Sequence, residues 1–186
     1  MNVIAPPRFS LIVRLLHWGG VLLVAVAVVS GLALDEFSEG PLRETVRVVH
    51  DSFGVALIAL TLMRLLARLA EKLPAWRAGR ALAPAPQASP LLERLAGWVQ
   101  AAMYSLMLLV PSVGLLDRWA RGKPVPLFGV PDLPAPFPVP GGKLWGEVHE
   151  TLAWTLVLLV AAHVAAALWH TFVLRDSTLA RMRLRG

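Results

Sequence analysis

The chain has 186 residues, no cysteine, a mean hydropathy of +0.63 and only 16% charged residues. Soluble domains carry nearer a quarter charged residues, which argues against a soluble globular enzyme, and a hydrophobic content of 56% excludes a disordered chain. Without cysteine there is no disulfide, thiolate metal site, iron–sulfur cluster or thioether-linked prosthetic group.

Four apolar runs follow one another, at about 11–34, 46–69, 91–116 and 148–174. Each exceeds the roughly 20 residues that a helix needs to cross a ~30 Å hydrocarbon core. None alternates apolar and polar positions as a strand would, and a backbone in lipid must satisfy its own hydrogen bonds. The expected fold class is all-α: an integral membrane four-helix bundle forming one domain over 1–186. The first run is too long for the apolar region of a signal peptide and is read as a retained span. In the third, Pro111 predicts a kink, with Gly114 close behind it. Seven of the 15 prolines, from Pro124 to Pro140, fall between the third and fourth runs and predict an extended, stiff connection. The Ala/Pro stretch at 81–90 reads as a plain linker.

An even number of spans puts both termini on one side. That side, with the connection between the second and third runs, holds 12 of the 18 Lys and Arg residues. The other side holds the remaining 6, with 9 of the 12 Asp and Glu. The positive-inside rule therefore places both termini in the cytoplasm. The net charge of +6 reads as membrane topology, so the bilayer is the expected partner and nucleic acid is not.

Five histidines carry the chemistry: His17, His50, His149, His163 and His170. An ionisable side chain inside a span is costly and marks a functional position. His149 and His163 lie 14 residues apart on one run. That is about 3.9 turns and ~21 Å, so they share a face at different depths. Depth pairs His17 with His163 near the inner surface, and His50 with His149 near the outer one. Two facing imidazoles, twice over, suit two bis-histidine haems. Zinc would need three or four protein ligands at each level, and histidines with a purely structural role are the other reading.

Arg47 and Arg14 each stand three residues before a paired histidine, and Arg64 stands 14 residues after His50. Each is either a partner for a haem carboxylate or an arginine reaching the lipid interface. His170 lies two turns beyond His163, nearer the inner surface. It would line a quinone pocket with Ser10 and Arg14 as neighbours, contact a haem carboxylate, or sit at the interface.

Several segments together resemble the bacterial cytochrome b561 family. They are Arg14-Leu-Leu-His17-Trp18, His50-Asp-Ser52-Phe-Gly54 and Arg64-Leu-Leu-Ala-Arg68-Leu, then Tyr104, Pro111 and Gly114 in the third run. Arg121-Gly122-Lys123-Pro124 and Leu127-Phe128-Gly129 follow, then His149-Glu150-Thr151-Leu152-Ala153 and the tail Asp176-Ser-Thr178-Leu179-Ala-Arg181-Met182. The likeness is to the short di-haem form described as superoxide oxidase. It implies two non-covalent haem b groups with axial ligands His17/His163 (inner) and His50/His149 (outer). It also implies oxidation of superoxide at the periplasmic face and reduction of ubiquinone from the quinone pool. Arg47 and Lys143, with Arg43 and Arg118, would attract the superoxide anion at the outer face, or else pair with loop carboxylates. Two other readings stand beside this one. One is a quinol-linked cytochrome passing electrons to or from a periplasmic redox protein. The other is the membrane anchor of a larger dehydrogenase or hydrogenase.

Overall fold

The computed structural model describes residues 9–77 and 90–184, so nearly all of the expected linker lies outside the described residues. Four helices follow in order: α1 (Leu11–Glu36), α2 (Pro41–Arg77), α3 (Pro90–Ala120) and α4 (Leu144–Phe172). All four are long and apolar enough to cross a membrane.

Local chemistry sets the helix ends. Ser10 caps α1, its hydroxyl accepting from the Val13 N–H at 3.4 Å. Pro41 and Pro90 stand first in α2 and α3, where a missing N–H costs nothing. This start at Pro41 corrects the expected boundary near 46: the polar first turn with Glu44 is helical even though it is not apolar. α3 runs unbroken through Pro111 to Ala120, and the chain turns away at Gly122, whose φ of 69° suits glycine. There Lys123 N–H closes onto the Arg118 carbonyl at 3.1 Å.

Successive helices pack side by side, α1 on α2, α2 on α3 and α3 on α4. The buried core is small: Leu57, Leu106, Met107, Val110 and Leu156. Leu57 stands seven residues after His50, and Leu156 stands seven from both His149 and His163. Seven residues are about 10 Å, so the core forms an apolar septum at mid-height between two histidine levels. Many other large apolar side chains point outward, including Leu66 and Leu158, which are 65% and 69% exposed. That is the pattern expected where lipid, rather than protein, is the neighbour.

The connection between α3 and α4 is extended, as its prolines predict, and pinned at three points. Val125 and Leu133 exchange backbone bonds of 2.9 and 2.8 Å, the Trp119 indole donates to the Leu133 carbonyl at 3.2 Å, and Phe128 N–H donates to the Ser52 hydroxyl at 2.9 Å. The last bond lays the connection against α2 about three turns from its start, two residues from His50. We call this end distal.

At the opposite, termini end the chain turns back at Arg175 (φ 53°) into a short 3-10 turn, Leu179–Met182. The Trp18 indole donates to the Met182 carbonyl at 2.8 Å, and Arg14 donates to the Arg183 carbonyl at 2.5 Å. His170 and Asp176 pair at 2.6 Å, and Thr178 N–H donates to the same carboxylate at 2.8 Å. The His170 hydrogen bond holds the Asp176 carboxyl down from its ordinary 3.8 to about 2. A depressed carboxylate stabilises the fold above its ordinary value and loses that contribution as pH falls through its folded one. The C-terminal turn should therefore stay docked down to pH near 4 and release between there and about 2. Amide hydrogen exchange in 173–184 should rise in that window, and in Asp176→Asn it should already be high at neutral pH.

Candidate functional site: two facing histidine pairs

The bundle brings together the pairs that depth predicts. The His17 ring (α1) faces His163 (α4) with centroids 6.4 Å apart, and the His50 ring (α2) faces His149 (α4) at 6.1 Å. Two imidazole nitrogens bonded to one transition-metal ion at about 2 Å each put their ring centroids roughly 6 Å apart. Both pairs meet that spacing. Among the described residues, no three His, Asp or Glu side chains gather into a metal site. Two facing imidazoles are the protein donors that a haem iron needs, because the macrocycle would supply the other four, so the donor set fits haem.

At the distal pair the backbone decides which ring nitrogen is free. His50 Nδ1 lies 2.9 Å from the Ala27 carbonyl, and His149 Nδ1 lies 2.9 Å from the Val110 carbonyl. A carbonyl only accepts, so each Nδ1 carries the proton and each Nε2 keeps its lone pair for a ligand bond. The same local arrangement serves both rings. Each acceptor is a helix carbonyl with glycine four residues on, Ala27 with Gly31 and Val110 with Gly114. A Cβ on Gly31 would stand 3.0 Å from His50 Cε1, and one on Gly114 would stand 3.1 Å from His149 Cε1. The missing side chains open the carbonyls sideways and seat the rings against α1 and α3.

A cavity of about 30 Å³ lies at this level, its walls including His50, Asp51, Gly114, Arg118 and His149. Arg118 and Asp51 face each other at 3.8 Å, both largely buried. The Arg118 guanidinium also donates to the Pro124 carbonyl at 2.8 Å. Arg47 stands 3.8 Å from Glu44, Arg43 pairs with Glu39, and Lys143 is exposed just before α4. Of the expected outer cations, Arg118 is the one that lines the cavity.

The termini-end pair is built differently. His17 Nδ1 is buried with no hydrogen-bond partner among the described residues, and the ring meets Trp18 edge-on, centroids 5.4 Å apart. Arg64 lies within electrostatic reach of both His17 and His163 and sets its guanidinium 5.3 Å from the Tyr104 ring centroid. Beyond Tyr104, a groove of about 660 Å³ runs between α2 and α3, lined among others by Arg68, Gln100, Tyr104 and Ser105. Ser10, Arg14 and His170 are not on the groove's lining. They are gathered instead at the helix cap and the C-terminal turn.

Sequence reasoning missed Gly31 and gave Gly114 only a role beside Pro111. A usable signal was present: Gly31 is 14 residues after His17 on α1, which puts it at the level of the other pair. Glycine within a helix is unfavourable by about 1 kcal/mol relative to alanine and asks for a packing reason.

A family model described as prokaryotic cytochrome b561 matches residues 8–184. The chain is 30% identical over 181 residues to cytochrome b561 homolog 2 of Escherichia coli (strain K12), an overlap of 95% of this chain and 92% of that protein. It is 29% identical over 171 residues to the probable superoxide oxidase CybB of Yersinia pestis, covering 90% of each. It is also 26% identical over 183 residues to cytochrome b562 of Cereibacter sphaeroides, covering 95% of each.

Proposed function

The chain belongs to the prokaryotic cytochrome b561 family, a family of membrane electron-transfer proteins that bind haem b, and on that footing we propose a di-haem superoxide:ubiquinone oxidoreductase. The observation that carries this reading is the pair of facing histidine rings near each end of one bundle. His17 and His163 would hold one haem b, and His50 and His149 the other. Haem b bound there supplies a one-electron couple at each end of the span.

The chain's own residues do the rest. The carbonyls of Ala27 and Val110 fix the distal tautomers. Arg14 and Arg64 are the proposed partners of haem carboxylates at the termini end, which the charge distribution assigns to the cytoplasm. At the periplasmic, distal end, Arg118 lines the cavity and Arg47 and Lys143 stand at the same end, three cations proposed to attract a small anion. The relative named as a probable superoxide oxidase supports this substrate. At the other end, the groove offers the Gln100 amide and the Tyr104 and Ser105 hydroxyls within an otherwise mainly apolar wall. That chemistry suits a lipid-soluble carbonyl compound such as a quinone. The net reaction is two superoxide, one ubiquinone and two protons giving two dioxygen and one ubiquinol.

The test is purified holoprotein in detergent given generated superoxide and a short-chain ubiquinone. Haem reduction by superoxide followed by quinol formation, at a rate that falls as salt rises, is the expected result. No reduction by superoxide, with ready reduction by ubiquinol, would favour the second reading, a quinol-linked carrier serving a periplasmic redox protein. The apolar outer connection, with Phe128 53% and Phe137 58% exposed, keeps that reading in play.

A further inference from the structure

We infer that Thr61 is a positioning residue for His17: its hydroxyl, through one buried water, takes up the N–H at Nδ1 and fixes which nitrogen of that ring faces His163. The inference rests on the reading that His17 and His163 hold a haem b.

Thr61 stands apart from the other helix hydroxyls. Ser30, Thr45, Ser112, Thr151, Thr155 and Thr171 each donate to the carbonyl four residues back, at 2.6–2.9 Å. Thr61 makes no such bond. It is 0% exposed, and its Oγ1 is buried without a partner among the described residues. A buried hydroxyl left unpaired is costly, and its own helix offers it an easy bond. An oxygen turned away from that bond asks for another partner.

The register of α1 against α2 supplies one. Ala27 and Gly31 on α1 meet His50 on α2, and Gly19 and Gly20 meet Leu60. The two helices therefore run antiparallel. Ten residues lead from Ala27 back to His17 and eleven from His50 on to Thr61. Those steps rise about 15 and about 16 Å, so His17 and Thr61 fall at one level. Eleven residues are also about three turns, so Thr61 faces the same way as His50, toward the histidine rings.

The chemistry of the two atoms matches. When Nε2 binds a metal, Nδ1 carries the proton, and His17 Nδ1 is buried with no acceptor among the described residues. Its polar neighbours are donors: the Trp18 indole gives its N–H to the Met182 carbonyl, and the Arg64 guanidinium has only N–H groups to offer. The Thr61 oxygen accepts. A water between the two has the pair of polar partners that holds it in place. The distal pair carries the same arrangement with the helices exchanged. There the histidine is on α2 and is held from α1, with the Ala27 carbonyl 2.9 Å and the Ser30 hydroxyl 3.4 Å from His50 Nδ1. At the termini end the histidine is on α1 and the hydroxyl is on α2.

A ligand imidazole whose second nitrogen is held keeps its orientation and binds its metal more firmly. Haem transfer from the purified holoprotein to excess apomyoglobin, read beside the low-spin EPR signal of each haem, tests this. His149→Ala, which keeps the termini-end haem, assigns the phases and signals. Thr61→Val keeps the branched shape and removes the hydroxyl. It should speed loss of the termini-end haem at least fivefold and shift its EPR signal, with the distal haem unchanged. Thr61→Ala should do the same, while Thr61→Ser, which keeps the hydroxyl, should match the unmodified protein in both readouts. A Thr61→Val protein equal to the unmodified one, a Thr61→Ser as damaging as Thr61→Val, or equal changes at both haems would overturn the inference. An unmodified protein that holds no haem at the termini end would instead overturn the haem reading on which it stands.

Discussion

Replacing His149 by alanine is expected to cut the haem content from about two to about one per chain, with the remaining haem still low-spin and six-coordinate. His149 is the one ring facing His50, at 6.1 Å, and it is seated by the Val110 carbonyl. Its loss leaves the distal site with a single imidazole. The termini-end pair should survive, because His163 stands on the other side of the septum and faces His17 on α1. His170→Ala is the matched control. Its ring is bound to Asp176 in the C-terminal turn rather than to a facing histidine, so both haems should remain. Haem per protein by the pyridine haemochrome method, with low-temperature spectra of the reduced protein, reads the result. Equal loss from His170→Ala, or survival of both haems in His149→Ala, would defeat the pairing.

Enlarging the two glycine seats should have nearly as large an effect. In Gly31→Val or Gly114→Val the first added carbon already lies 3.0 or 3.1 Å from a histidine ring, tighter than ordinary contact, and the branch adds to it. Overfilling a packed site costs about 1–3 kcal/mol, and here the part able to yield is the ring itself. If it yields, the Nδ1–carbonyl bond goes and the imidazole can turn its wrong nitrogen inward. We expect at least a tenfold loss of distal haem affinity with the termini-end haem retained. Gly97→Val is the control, since a Cβ there meets nothing within 4 Å. A haem titration of the stripped protein measures it. Unchanged distal affinity in both variants, or a Gly97→Val as damaging as the other two, would show that the glycines serve helix packing alone.

Much of this site could be read from the chain without a structure. Helix existence followed from run length and hydropathy, because the bilayer demands both. The histidine pairs followed from depth, because a helix rises a fixed distance per residue and alternate spans run in opposite directions. His149 and His163, 14 residues apart, lie too far apart for one centre, and the bundle sets His17 beside His163 and His50 beside His149. Helix ends were less legible. The polar first turn of α2 extends the helix beyond its apolar run, since a proline at the first position and the cap, rather than hydropathy, decide where a helix begins.

What only the tertiary structure decided is how the two histidine pairs differ. Ala27 and Val110 are ordinary apolar residues whose part is played by main-chain carbonyls, which no side-chain pattern reports. Gly31 and Gly114 act by an absence that matters only once a ring from another helix lies against it. Arg118 gained its place over Lys143 because the fold brings Asp51 and the Pro124 carbonyl to it, while Lys143 stays exposed. Spacing along a helix determines depth and face, and those two coordinates paired the histidines. The hydrogen bonds and charges that surround each pair come from neighbouring helices, and contacts between helices are set by packing, which the one-dimensional pattern does not contain.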